Sequence, residues 1–155
     1  MGVLNGTDVV YLEKIEPPRP LRVWSTVGAR SPAPTTALGR AMLAYRPVTR
    51  SSISPYLTGV ADSDLDSAGA RLWAAIGRAR ERGFASENQE NEPGIACVAV
   101  PLIRGGTAVA AVSVTAPVER MDDARLNSMG VVFRDTLTSL LPREFHLPAE
   151  LNSTL

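Results

Sequence analysis

The chain has 155 residues, 45% of them hydrophobic and 21% charged, which suits one globular domain over 1–155 and leaves too little length for two. Sixteen basic side chains cancel sixteen acidic ones, removing the charge attraction that drives non-specific nucleic-acid binding. No apolar run approaches the roughly 18 residues of a membrane span, the first residues lack a signal peptide's basic and apolar regions, and a lone cysteine excludes an internal disulfide. A soluble, cytoplasmic protein without membrane contact is expected.

Residues 9–15 and 21–25 alternate apolar and polar side chains and flank Pro17, Pro18 and Pro20, where fixed φ and missing amides interrupt a ladder. This pattern predicts an opening hairpin. A Gly and Pro loop over 27–34 leads to Thr35 and Thr36, good caps for a short helix over 37–45. A helical turn over 51–57 ends near Pro55 and Gly59. Leu65, Ala68, Leu72, Ile76 and Ala79 then recur at helical spacing between a cap at Asp62 or Ser63 and a stop at Gly83. Phe84, Ala85 and Ser86 begin a strand. Two β-rich runs, 95–103 and 107–115, surround Arg104-Gly105-Gly106 and predict an antiparallel hairpin. Leu126, Met129, Phe133, Leu137 and Leu140 make the apolar stripe of a last helix, capped by Asp122 and stopped by Pro142. Hairpins with irregularly interleaved helices predict an α+β fold, an antiparallel sheet with helices packed on it.

Candidate chemistry gathers on the cysteine hairpin. A three-residue loop pairs Ile103 with Thr107, which sets Cys97 opposite Ser113 and Ile95 opposite Thr115, all four on one sheet face. A two-residue loop, Gly105-Gly106, would instead set Cys97 opposite Val114 and split the group. The Ser113 and Thr115 hydroxyls need partners if buried, either nearby backbone or a ligand. Gly28 and Ala29, before a helix N-terminus, offer amides to a carboxylate or phosphate, although such loops often only turn the chain. Glu87, Glu90 and Glu92 could form an acid/base or metal cluster but read more simply as a solvated loop, with Glu87 alone placed to point inward. Cys97 has no histidine to activate it, since the sole one, His146, follows the last helix, so it reads as a small buried thiol. No catalytic residue, metal site or cofactor motif is assigned.

Two segments together resemble the effector-binding domain of IclR-family transcriptional regulators. Residues 27–44, with Gly28, Arg30, Pro32, Thr36, Ala37, Gly39 and Ala41, are similar to the pattern VGxRxPLHxTAxGKAxLA. Residues 82–101, with Gly83, Ala85, Gly94, Cys97 and Pro101, are similar to RGYAxDxEExxxGxxCxAxPV, and residues 110–117 to AAxSxSGP. The resemblance implies a GAF-like domain that senses a small organic acid and forms dimers or tetramers. It further implies DNA binding only through a winged helix-turn-helix domain absent from this chain, which would be an excised or naturally truncated sensor. Its implied ligand-binding positions are Gly28, Ala29, Glu87, Ile95, Cys97, Ser113 and Thr115, with the Gly28 and Ala29 amides receiving the carboxylate. Pro34 replaces a frequent histidine, Glu87 an aspartate, Thr115 a serine and Ala116 a glycine. Two other readings remain, an oligomerisation module with a vestigial pocket and an enzyme using Cys97.

Overall fold

The computed structural model describes residues 1–16 and 26–148. Its strands form one six-stranded antiparallel sheet in the order β3-β2-β1-β6-β5-β4. The opening hairpin is β1, Gly2–Asn5, and β2, Asp8–Tyr11, closed at Gly6 with φ 63°. Of the hairpin expected over 9–15 and 21–25, the first strand is corrected to end at Tyr11, and the proline turn and second strand, over 17–25, lie outside the described residues. The two-residue loop Gly6-Thr7, with glycine in the positive-φ first position, makes this turn. The edge strand β3, Arg30–Pro32, pairs with β2.

Helix α1, Ala37–Ala44, follows a Thr36 cap whose Oγ1 accepts from the Gly39 amide at 3.1 Å. All eight of its residues are buried, because it lies between the sheet and helix α2, Leu65–Arg82. A helix enclosed on every side needs small or apolar residues all round, and Ala37, Leu38, Gly39, Ala41, Met42, Leu43 and Ala44 meet that demand. Gly39 is obligatory: a Cβ there would sit 2.2 Å from the Ala33 carbonyl oxygen. Short 3₁₀ turns at Arg50–Ser52, Ser54–Leu57 and Asp62–Asp64 lead into α2, which ends on Gly83 in the left-handed conformation. The strand β4, Ala85–Asn88, follows at once.

Helix α3, Asp123–Thr138, covers the opposite face of the sheet over β4 and β5, so the layers run α3, sheet, α1, α2. Asp122 caps it by accepting from the Arg125 amide at 2.8 Å. Its buried positions are Leu126, Gly130 and Arg134, with Phe133 and Leu137 partly buried, whereas Met129 and Leu140 are exposed. The stripe expected from the sequence is therefore rotated, because the Phe84 ring packs directly on Gly130. A Cβ at that glycine would meet the ring at 2.2 Å. No helix among the described residues is long and apolar enough to cross a membrane.

Gly130→Ala should destabilise by about 1–3 kcal/mol through overpacking against Phe84, even though alanine favours helix by nearly 1 kcal/mol. Gly77→Ala, in α2 with open space around it, should stabilise by about 0.5–1 kcal/mol. Urea denaturation of both variants checks the pair. Equal effects of the same sign would mean that Phe84 moves aside freely.

Candidate functional site

The hairpin of β5, Ile95–Arg104, and β6, Thr107–Pro117, decides which side chains share the α1 face. Its loop is the two-residue Gly105-Gly106, with φ of 60° and 78° and Arg104 opposite Thr107. Continued unbroken, that register would place Cys97 opposite Val114. A bulge intervenes: Ile103 faces Ala108 while Leu102 faces Ala110, so Val109 is an extra residue on β6. Cys97 therefore lies opposite Thr115, Ala99 opposite Ser113, and Ile95 opposite Pro117. The pairs expected from a three-residue loop are corrected by two positions. The shared face of Ile95, Cys97, Ser113 and Thr115 survives, because a shift of two preserves the alternation.

Glu87 on β4 lies opposite Cys97, completing a row of Glu87, Cys97 and Thr115 across three neighbouring strands. Glu87 is 3% exposed, and its Oε2 accepts from the amides of Glu90 at 3.0 Å and Asn91 at 3.4 Å. Burial pushes its carboxyl above the ordinary 4.5, while a hydrogen bond from Cys97, the two amides and the Arg40 charge act against that rise. The Cys97 Sγ is 3.2 Å from Thr115 Oγ1. Either partner can donate in this contact, and the thiol donates to Glu87 when that carboxyl is ionised. Burial, reinforced by the Glu87 charge, raises the thiol to about 12. At neutral pH it is protonated and a poor nucleophile. His146 pairs its backbone with Ile103, six residues and about 20 Å along β5 from Cys97.

Two further features were not foreseen. Tyr11 is half-buried against the α1-side core, and burial raises its hydroxyl above the ordinary 10, a hydrogen bond from Ser31 acting against the rise and the nearby Glu87 and Glu92 carboxylates adding to it. Its place in an alternating strand marked it as a face residue without saying which face. Arg40 on α1 is 5% exposed and binds both carboxylate oxygens of Glu90, so that acidic residue is a structural partner rather than part of a solvated run. The Arg40 guanidinium holds the Glu90 carboxyl below its usual range, opposite in direction to Glu87.

Gly28 and Ala29 differ from expectation in their amides. The Gly28 amide donates to the Tyr11 carbonyl at 2.8 Å and the Ala29 amide to Thr26 at 3.0 Å, while the Ala29 carbonyl accepts from Tyr11 at 3.1 Å. These groups carry the β2–β3 pairing one residue past Val10, to Tyr11, and leave neither amide free for an anion. On the other side of the molecule, a groove of about 620 Å³ between the end of α3 and residues 141–148 contains none of the row's side chains.

A model of the bacterial transcriptional regulator IclR C-terminal region matches residues 1–140. The HTH-type transcriptional regulator KdgR of Escherichia coli K12 is 33% identical over 132 residues, covering 81% of this chain and 49% of that protein. The chain spans about half the length of the curated relatives it matches. The crystal structure of Thermotoga maritima IclR superposes with a TM-score of 0.68 at 25% identity, covering 86% of this chain and 56% of that one. The C-terminal domain of E. coli KdgR superposes at 0.61 with 27% identity, covering 84% and 76%.

The raised carboxyl of Glu87 has a stability consequence. A carboxyl whose folded pKa exceeds its unfolded one contributes stability fully below the unfolded value, and that contribution is lost as pH rises through the folded value. Glu87→Gln does not titrate, so its stability relative to wild type should improve as pH rises from about 4.5 and level off above the folded pKa. Urea unfolding of both proteins between about pH 4 and 8 measures the difference. A flat or falling difference would show Glu87 to be unperturbed or depressed.

Proposed function

Because this chain belongs to the IclR family of bacterial transcriptional regulators and corresponds to their C-terminal domain, we propose that it senses a small organic acid on the row of Glu87, Cys97 and Thr115. The observation carrying this reading is a polar row at the border of the α1-side core, with Glu87 buried and Cys97 and Thr115 half-buried, whose members bond mainly to one another and to one turn. Beyond the two turn amides held by Glu87, these polar groups bond only within the row, which suits a ligand able to exchange with those bonds. Ser113, one step along the same face, and Ile95, at its end, border the row. Tyr11 and Ser31 close it from the β2 side, and Gly28 and Ala29 contribute by fixing the Tyr11 backbone rather than by receiving an anion.

The chemistry of the row restricts the ligand. Glu87, when ionised, accepts hydrogen bonds and repels a carboxylate, so a ligand hydroxyl belongs there and the acid group points toward the Thr115, Ser113 and Tyr11 hydroxyls. A small hydroxy acid satisfies both ends. The site performs binding rather than catalysis, in keeping with a protonated thiol that lacks a nearby base. DNA contact would belong to a winged helix-turn-helix in the remaining half of such a regulator, and the reading places the protein in the bacterial cytoplasm.

Thermal unfolding in the presence of acetate, glycolate, lactate, pyruvate and succinate tests the site. A specific ligand at one hundred times its Kd stabilises by about 2.7 kcal/mol, and Thr115→Ala should lose most of that shift. Failure of every acid, or an equal shift in the variant, would remove this ligand class or this location.

Self-association is supported by the α3 side of the sheet. Val3, Val10, Val112 and Val114 are half-exposed there, and α3 adds exposed Met129 and Val132. Apolar side chains left open on one side of a sheet suit an interaction face. Light scattering should give a dimer or larger species at about 50 µM, whereas a monomer at that concentration would leave this face without a second copy.

A further inference from the structure

We propose that Arg40 is a positioning residue for this site: by clasping Glu90 it sets the turn after β4 whose amides aim the Glu87 carboxylate. The inference rests on reading the Glu87, Cys97 and Thr115 row as the ligand site.

Arg40 is the one ionisable side chain of α1, in a helix enclosed on all sides. Its Nε donates to the Pro34 carbonyl at 2.7 Å, its Nη1 to the Ser86 carbonyl at 3.3 Å and to Glu90 Oε1 at 2.6 Å, and its Nη2 to Glu90 Oε2. One guanidinium thus joins the loop before α1, strand β4 and the turn beyond it. The turn is tight: Gln89 adopts φ 59°, a left-handed value uncommon for a side-chain-bearing residue, and its Oε1 accepts from the Gly94 amide at 3.1 Å. Thr35 Oγ1 lies 3.4 Å from Asn91 Oδ1, a second tie between the α1 loop and the same turn.

The backbone links the clasp to the site. Glu90 presents its carboxylate to Arg40 and its own amide to Glu87 Oε2, so the position of one residue determines both bonds. Lysine, which the IclR pattern carries at this position, would keep the charge but not the two-pronged carboxylate contact with two carbonyls reached as well, so the clasp of this chain depends on the arginine fork. Charge neutralisation by Glu90 also explains why Arg40 can remain buried so close to Glu87 without serving as the ligand's cation.

The test uses the whole chain, with Arg40→Lys, Glu90→Gln, the double variant, and Glu81→Gln as a solvent-exposed control. Iodoacetamide at about pH 8 reads access to Cys97, and the half-buried, protonated thiol of the wild type should react slowly. Arg40→Lys and Glu90→Gln should each speed alkylation by about tenfold, with no dependence on urea below the unfolding transition, because the opening is local. The double variant should react no faster than either single one, since both remove the same clasp. Unchanged alkylation, or alkylation that climbs with urea in step with global unfolding, overturns the proposal. Should Glu90→Gln fail to fold, Glu90→Asp keeps the charge, withdraws it by one methylene and carries the same expectation.

A ligand arm uses the acid that stabilises wild type most. Its affinity should fall about tenfold in Glu90→Gln and stay unchanged in Glu81→Gln. Equal affinity in Glu90→Gln also overturns the proposal. If no acid of the panel binds wild type, the ligand reading alone fails, and the alkylation rates still decide whether Arg40 orders the turn.

Discussion

Enclosure of α1 on every side is the constraint from which the rest of the structure follows. A helix packed between a sheet and a second helix can carry no unsatisfied charge, and approaches its neighbours closely only where side chains are small. Gly39 answers the second demand by letting the helix rest against the Ala33 backbone. Arg40 answers the first by drawing in Glu90 and two carbonyls. The loop before α1, the end of β4 and the acidic turn are therefore fixed as one unit around a single guanidinium. Breaking such a pair on one side leaves a buried uncompensated charge, which costs far more than a surface pair contributes.

Much of this order was legible in the sequence because it is local. Thr36, Asp122 and Gly83 announced helix ends through caps that depend only on neighbouring backbone, and all three act as expected. The β5 and β6 hairpin was legible as two β-rich runs about a glycine pair. Its register was not, because the bulge at Val109 leaves no local signature in a run of alanines and valines. The face assignment survived because loop and bulge together shift the register by an even number of residues. The rotated α3 stripe and the Arg40–Glu90 pair were illegible for a different reason. Each depends on a contact between residues far apart in sequence, Phe84 with Gly130 and Arg40 with Glu90, and neither partner announces the other. The β1 strand was overlooked because four residues are too few to establish an alternation, although the Gly6-Thr7 turn pointed to it.

Two glutamates three residues apart show how the fold divides labour. Glu90 faces Arg40 and is held ionised, whereas Glu87, buried with amides and a thiol around it, is pushed toward its neutral form. Glu90 is thereby committed to the scaffold, and exchanging its partner for a ligand would strand Arg40 inside the protein. Glu87 has no such commitment. Its bonds are to two amides and to a thiol that can turn toward Thr115 instead, so a ligand hydroxyl could replace the thiol without leaving a charge behind.

The same division bears on how occupancy would be transmitted. A ligand alters a distant equilibrium only through a difference in free energy between two arrangements of the protein. A bond gained by Glu87 would act first on the Glu90 and Asn91 amides, which its carboxylate already holds, then on the Arg40 clasp, and so on α1, which contacts both the sheet and α2. The helix with the least freedom to move is therefore the one most directly tied to the candidate site. A buried element of this kind cannot deform gradually, because close packing resists partial displacement. An effector acting here would shift α1 together with its turn as a body or leave it in place, and the Arg40–Glu90 pair is the joint that makes the helix and the turn one body.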